Sequence, residues 1–281
     1  MSVSVPQLRE ASVMLRTRVI VAIILIPLVL GLLYLGSFPW LCGVLVAGIL
    51  AWREMVIILR RETYMVDRGL GLFFVVGAIL EAYLHSLDPG RYDLLRPLLA
   101  ALILFSLIWA LYNRNEHPTA DWGLTVASAL YLGVTLSYLV TLRQRPDGFI
   151  WACTAFLVTW SCDTAAYFVG RSLGRHLLWP RISPRKTWEG LIGGTLAALA
   201  AGLTFGSWLL ALLWWQGLLL GLLVAVAAPF GDLAESLFKR LANVKDSSHL
   251  IPGHGGVLDR LDSLLFVFPV VTYFALAVTG L

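Results

Sequence analysis

Long apolar segments recur along the whole chain and are separated by mostly short polar connections. A helix needs about 20 mostly apolar residues to cross a bilayer. The pattern therefore predicts an all-α fold, a polytopic membrane helical bundle with about nine transmembrane helices. We expect 1–145 to be N-terminal scaffold helices and 146–281 to carry the chemistry within one continuous membrane domain. The predicted spans are 19–36, 38–55, 69–86, 94–112, 122–142, 149–170, 190–212, 215–238 and 262–280.

Basic residues concentrate on one side of this predicted topology. If the nine spans cross the membrane in alternating directions, 17 of the 21 Lys and Arg residues lie on the side of the N-terminus. The four on the other side are Arg91, Arg96, Arg143 and Arg145. Lys and Arg are enriched in cytoplasmic loops. The N-terminus is therefore predicted to be cytoplasmic, in a multi-pass protein of the cytoplasmic (inner) membrane.

The composition agrees with a membrane protein. Of the 281 residues, 59% are apolar and 14% are charged, and the mean hydropathy is +0.81. Soluble domains are about 45–50% apolar and about 25% charged. The basic residues are spread over several connections and form no single stripe on a soluble domain, which argues against nucleic acid as a partner.

Acids lie inside predicted spans at Glu81, Asp163, Asp232 and Glu235, and Asp163 and Asp232 are near the cytoplasmic boundary. Charged groups in a membrane helix are costly and usually functional. Asp163 and Asp232 lie roughly 10–12 Å below that boundary, given a helical rise of about 1.5 Å per residue. They therefore share a depth on different helices. Glu235, Ser236 and Lys239 follow Asp232 at helical spacing, on the same face.

A second acidic face opens the last span, where Asp259 and Asp262 fall one helical turn apart. Acids are favoured at a helix N-terminus by the macrodipole, and carboxylate oxygens suit Mg²⁺ bound to phosphates. The two faces predict a metal and phosphate site. Two alternatives stay open: Asp259 and Asp262 are simple caps, and Glu235 forms a helix-surface ion pair with Lys239.

The connection at about 239–261 combines cations with glycines. Such a turn lets backbone amides approach an anion, and Lys and Arg bind phosphate oxygens. The alternative is a basic loop that touches anionic headgroups. No P-loop pattern occurs in the chain. The residues concerned are Lys239, Arg240 and Lys245, then Gly253, His254, Gly255 and Gly256.

The connection at about 171–189 is also long and basic. Ser183 before Pro184 predicts the N-cap and first turn of a helix. Arg185, Lys186 and Thr187 would then lie where backbone donors and cations meet phosphate. The alternative is a capped helix start with snorkelling basic side chains.

Across about 160–263 the chain resembles the phosphatidate cytidylyltransferases, the CDP-diacylglycerol synthases. Ser248 and Ala165 stand where many members have glycine. The stretches that carry the resemblance are Cys162-Asp163-Thr164-Ala165-Ala166-Tyr167-Phe168-Val169-Gly170-Arg171, Ser183-Pro184-Arg185-Lys186-Thr187-Trp188-Glu189-Gly190, Gly231-Asp232 before Glu235-Ser236, Ser236-Leu237-Phe238-Lys239-Arg240, Lys245-Asp246, Gly253-His254-Gly255-Gly256 and Asp259-Arg260-Leu261-Asp262.

The resemblance implies that CTP and phosphatidic acid react to give CDP-diacylglycerol and pyrophosphate at a site facing the cytoplasm. It implies Mg²⁺, with a monovalent cation such as K⁺ beside it, and a homodimer in membrane lipid. It implies Asp232 and Asp259 as metal ligands, with Asp163 a candidate third. The expected catalytic residues are Asp232, Asp259, Lys239, Lys245 and His254, and the expected substrate-binding residues are Ser183, Arg185, Lys186, Thr187, Ser236, Arg240, Gly253, Gly255, Gly256 and Arg260.

Three other functions remain open from the residues. A CTP-dependent lipid kinase would transfer the γ-phosphoryl group instead. A secondary transporter also places carboxylates at mid-depth in its helices. A non-catalytic scaffold would bind anionic lipid without turnover.

Overall fold

The computed structural model describes residues 5–61, 64–244, 246–253 and 255–280, with helix side chains from Ile20 onward. Lys245 and His254, predicted above to be catalytic, lie outside the described residues. The described part contains nine α-helices and a two-stranded sheet. Their bounds are α1 Val5–Leu35, α2 Ser37–Arg60, α3 Arg68–Leu87, α4 Leu95–Tyr112, α5 Pro118–Gln144, α6 Gly148–Leu173, β1 Leu177–Trp179, β2 Ser183–Thr187, α7 Trp188–Leu210, α8 Trp214–Leu241 and α9 Leu258–Thr279.

Eight of these helices, α2 to α9, are long and apolar enough to cross a membrane. This confirms the predicted polytopic bundle. The apolar part of α1 within the described side chains, Ile20–Leu35, is shorter. Helix α8 continues to Leu241, so Lys239 and Arg240 belong to the helix and not to the connection that follows it.

One end of the bundle is fastened by side chains that reach backbone groups of other helices. Trp40 Nε1 donates to the Leu139 carbonyl at 2.9 Å, and Arg143 Nε donates to the Leu33 carbonyl at 2.9 Å. These bonds join the start of α2 and the ends of α1 and α5, which we call the far end. The opposite end, where α6 and α8 end and α7 and α9 begin, is called the loop end.

The half-buried acid Glu81 belongs to the far end. Its side chain is 11% exposed and lies 3.9 Å from His85 Nδ1, close to the amides of Leu94 and Leu95 where α4 begins. These contacts are those of a structural acid, and they lie at the opposite end of the bundle from the long connections.

Helices α7 and α8 approach closely through small residues. A Cβ on Gly202 would lie 2.5 Å from the Gly217 carbonyl oxygen, and one on Gly221 would lie 2.4 Å from the Ala198 carbonyl oxygen. Such contacts are typical of helix pairs in lipid, where packing replaces the hydrophobic effect. They hold together the halves of α7 and α8 nearer the far end.

The connection between α6 and α7 contains a β-hairpin, so the predicted N-cap at Ser183 is wrong. Strand β1 pairs with β2 in antiparallel register, with Leu177 opposite Thr187. This pairing keeps Ser183 and the next four residues extended. The helix therefore begins later, and its cap is Thr187, whose Oγ1 accepts a hydrogen bond from the Gly190 amide at 3.1 Å.

Candidate active site

Three carboxylates meet at the loop end, between α8 and α9. Asp232, Glu235 and Asp262 each place one oxygen within 4.8 Å of the other two. Asp232 and Glu235 come from one face of α8, as the spacing predicts, and Asp262 comes from the first turns of α9. Glu235 and Asp262 were missing from the predicted site residues, although the sequence places both on the acidic faces.

Gly231 explains how the two acidic helices come so close. A Cβ at this position would lie 2.5 Å from the Asp262 carbonyl oxygen and 3.0 Å from Ser263 Cα. The backbones of α8 and α9 therefore touch one residue before Asp232. A side chain here would push the helices apart and open the carboxylate group.

Lys186 reaches the carboxylate group from the hairpin. Its Nζ lies 2.8 Å from Asp232 Oδ2 and donates to the Pro229 carbonyl at 3.3 Å. Asp163 of α6 is close enough to Asp232 and Lys186 for its charge to interact with both. The structure thus brings together Asp163, Asp232 and Lys186, and it places Lys186 on β2 and not in the first helical turn.

Lys239 is buried between two carboxylates. Its Nζ contacts Glu235 on the same helix and lies 2.6 Å from Asp259 Oδ1. The side chains of Lys239, Glu235 and Asp259 are 10%, 0% and 6% exposed. The alternative of a helix-surface ion pair is therefore wrong: the pair forms, but in the interior. Oε2 of Glu235 is the atom paired with Lys239, and Oε1 accepts no hydrogen bond from a described residue.

Asp259 holds the connection that leads into α9. Its Oδ2 accepts hydrogen bonds from the Ser247 amide at 2.9 Å and from the Gly256 amide at 2.8 Å. Gly255 has φ of 83°, and a Cβ there would lie 2.6 Å from the same oxygen. The structure therefore places Asp259 beside the three carboxylates, linked to them through Lys239, and its metal-ligand role stays a prediction.

Other predicted substrate-binding residues surround this centre. Ser236 Oγ donates to Asp232 Oδ1 at 3.3 Å. Arg240 donates through Nε to the Ile182 carbonyl and through Nη1 to the Val244 carbonyl, each at 3.0 Å. It thereby ties the hairpin to the end of α8. Arg185 and Arg260 have exposed side chains at the loop end.

Glu54 of α2 is a third residue that the sequence reasoning missed, besides Glu235 and Asp262. Its carboxylate is buried and accepts four hydrogen bonds from Ser247, Ser248, Val257 and Leu258. The available signal was an acid inside the predicted span 38–55, since a carboxylate there needs partners.

An apolar groove adjoins the carboxylate group at Pro229. It has a volume of about 690 Å³ and is bounded by the hairpin, α7 and α8. Pro229, whose carbonyl accepts from Lys186, lines the groove. Other lining residues are Arg181, Trp188, Leu191, Val226, Phe230 and Leu233.

The fold and the site together define a polytopic membrane protein with a buried carboxylate and lysine site at one end of its helices. The chain belongs to the Cytidylyltransferase family, whose profile matches residues 16–278. It is 33% identical over 267 residues to a phosphatidate cytidylyltransferase of Bacillus subtilis, covering 94% of this chain and 98% of the relative.

Two further relatives carry the same name. A phosphatidate cytidylyltransferase of Staphylococcus haemolyticus is 32% identical over 260 residues, covering 92% of this chain and 97% of its own length. One of Brucella suis biovar 1 is 37% identical over 253 residues, covering 89% of each chain. The similarity therefore extends over the scaffold helices as well as the motifs.

Proposed function

We propose that the protein transfers the cytidylyl group of CTP to phosphatidate, giving CDP-diacylglycerol and pyrophosphate for phospholipid biosynthesis. The observation that carries the proposal is the convergence of Asp232, Glu235 and Asp262 beside Lys186, in a member of this family. The site faces the cytoplasm of the inner membrane, because most Lys and Arg residues belong to that side of the topology. The homodimer stays a prediction.

Mg²⁺ fits the residues at this site. Three carboxylates meet within 4.8 Å, and the buried Oε1 of Glu235, unlike the Oε2 paired with Lys239, accepts no hydrogen bond from a described residue. Asp232, Asp262 and Glu235 would hold the ion, with Asp163 nearby, and Asp259 could join only if Lys239 released its Oδ1. When bound, Mg²⁺ supplies charge neutralisation of the phosphates and polarisation of the α-phosphorus.

The reaction needs positioning more than it needs a base. The second pKa of a phosphomonoester is about 6, so phosphatidate is largely dianionic at neutral pH. A phosphate oxygen forms a bond to the α-phosphorus of CTP, and the bond from that phosphorus to the bridging oxygen of the β-phosphate breaks. Pyrophosphate leaves with the electron pair. The protein must therefore align two anions and neutralise their charge.

Lys186 is placed to hold the phosphate of the lipid. Its ammonium group lies between Asp232 and the Pro229 carbonyl, at the boundary between the carboxylate group and the groove. The connection between α8 and α9, with its glycines and with Lys239 and Arg240 on the last turn of the helix before it, receives the triphosphate of CTP.

The apolar groove holds the acyl chains of phosphatidate. Its walls, including Leu191, Val226 and Phe230, are apolar, and the cation Arg181 lies on the hairpin that bounds it. This charge distribution complements a lipid with an anionic headgroup. Helices α7 and α8 both cross the membrane, so a lipid enters sideways without leaving the bilayer.

Val226→Trp is expected to obstruct this groove. The KM for long-chain phosphatidate should rise about fivefold, or about 1 kcal/mol, while the KM for CTP stays unchanged. Val46→Trp is the matched control, since Val46 and Val226 are 57% and 54% exposed. Equal lipid KM values for the two variants would place the acyl chains elsewhere.

The position of the label transferred from CTP tests the proposed reaction. Purified protein with phosphatidate and Mg²⁺ should form labelled lipid from CTP labelled at the α-phosphate, and labelled pyrophosphate from CTP labelled at the γ-phosphate. Chelation of Mg²⁺ should stop both. Labelled lipid from γ-labelled CTP, with release of CDP, would identify a lipid kinase instead, and no turnover with any label would refute both enzymes.

A further inference from the structure

We propose that Glu54, in the scaffold half of the chain, is a positioning residue for the nucleotide: it holds the segment 246–258 in the conformation that receives CTP. This inference rests on the proposed function for its substrate. The bonds that carry it join α2 to residues about 200 positions later in the chain.

The Glu54 carboxylate is saturated by donors from one segment. Oε1 accepts from Ser248 Oγ at 2.7 Å and from the Val257 amide at 3.0 Å. Oε2 accepts from Ser247 Oγ at 2.9 Å and from the Leu258 amide at 2.8 Å. Glu54 itself is 3% exposed. Both ends of the glycine-rich turn are therefore fixed to the same side chain.

Glu54 also caps α9 from outside. The first amides of a helix have no partner within the helix, and Val257 at the N-cap provides no side-chain hydrogen bond. The amides of Val257 and Leu258 donate to Glu54 instead. The carboxylate therefore places its negative charge at the positive end of the α9 dipole and fixes where α9 starts, about one turn before Asp262 and the carboxylate group.

Gly256 is shaped to receive this carboxylate. A Cβ on Gly256 would lie 2.4 Å from Glu54 Oε2 and 2.0 Å from Ser247 Oγ. The glycine at this position is required by the side chains of Glu54 and Ser247, and not by backbone conformation. Gly256 therefore leaves the space that the Glu54 carboxylate occupies.

Ser247 connects Glu54 to the catalytic centre. Its Oγ lies 2.9 Å from Glu54 Oε2 and 2.9 Å from Asp259 Oδ2. A hydroxyl has one proton to donate, so the two carboxylates share it. Asp259 in turn pairs with Lys239. A shift of Glu54 is therefore passed through Ser247 to Asp259 and to the residues that neutralise the triphosphate.

Glu54→Gln tests the proposal, because an amide keeps the size of the side chain but turns one acceptor into a donor. Facing the amides and hydroxyls of 246–258, that donor must displace at least one of them. We expect the KM for CTP to rise about tenfold, or about 1.4 kcal/mol, while kcat and the KM for phosphatidate change less than about threefold.

Two further variants grade the effect. Ser248→Ala, which removes one donor, should shift the CTP KM in the same direction by a smaller factor. Glu54→Asp, which keeps the carboxylate, should recover part of the loss.

Glu81→Gln is the matched control, since it neutralises a half-buried acid of the scaffold at the far end. It should leave the CTP KM at the wild-type value even if it lowers the unfolding temperature. A second readout is amide hydrogen exchange across 246–258, which should accelerate in Glu54→Gln and not in Glu81→Gln.

The outcomes separate the two proposals. A wild-type CTP KM in Glu54→Gln and Ser248→Ala, or unchanged exchange across 246–258, would overturn the positioning role while leaving the activity in place. Absence of CDP-diacylglycerol from the wild-type protein would instead overturn the proposed function, and the exchange measurement would still report on Glu54. If Glu54→Gln fails to fold, Ser248→Ala and Glu54→Asp decide the matter by the same CTP KM.

Discussion

Asp232→Asn is expected to lower kcat for CDP-diacylglycerol formation by at least about 10³-fold, or about 4 kcal/mol of transition-state stabilisation. Asp232 contributes to the group of three carboxylates and pairs with Lys186. Asparagine keeps the shape and the hydrogen bond from Ser236, but it removes the charge and one hard oxygen ligand. The measurement is the initial rate of lipid labelling from CTP labelled at the α-phosphate, at saturating Mg²⁺.

Folding should survive this substitution. Replacement of one of three adjacent like charges relieves repulsion, and the lost ion pair with Lys186 is partly exposed and contributes little. The unfolding temperature should therefore remain at or above the wild-type value. Asp93→Asn, which neutralises an exposed acid between α3 and α4, is the control and should retain full activity. Near-full activity of Asp232→Asn would show that Asp232 is not a catalytic residue.

Lys239→Met should destabilise the protein strongly, by about 3–5 kcal/mol in the free energy of unfolding. The ammonium group is buried between Glu235 and Asp259, so its removal leaves two carboxylates close together without a cation. Methionine is similar in length and fills the same space. Thermal unfolding of the purified protein in detergent measures the effect, and activity should be lost at temperatures where the wild-type protein remains folded.

A second substitution distinguishes the loss of charge from the loss of packing. Glu235→Gln in the Lys239→Met background removes the uncompensated charge, while Asp259 keeps its bonds from Ser247 and Gly256. The double variant should be more stable than Lys239→Met alone. A Lys239→Met protein within about 1 kcal/mol of wild type would mean that the buried ion pair contributes little to folding.

Those features of the site that depend on helical period were predictable from the sequence. The spacing of Asp232, Glu235 and Lys239 fixes a shared face, because a helix repeats every 3.6 residues. The cost of charge in lipid pointed to Asp163 and Asp232 at one depth, and the structure brings these two within electrostatic range of each other. Eight of the predicted spans follow from apolar length alone.

Features that depend on contacts between distant segments were not predictable. The meeting of Asp262 with Asp232 requires the backbone approach at Gly231, and spacing along the chain carries no information on that distance. The hairpin is set by pairing of Leu177 with Thr187, which overrides the local capping signal at Ser183. Glu54 finds its donors about 200 residues away, so its role is invisible to any local pattern.

Glu54 is synthesised well before the residues that donate hydrogen bonds to it. Leu258 follows Glu54 by 204 positions, which corresponds to roughly 10–40 s of synthesis at about 5–20 residues per second. During that interval α2 is already in the membrane with a carboxylate that lacks the donors of α9. The site is therefore completed only when the last helix is inserted, and a ribosome that stops early leaves an inactive bundle with an exposed acid for quality control to recognise.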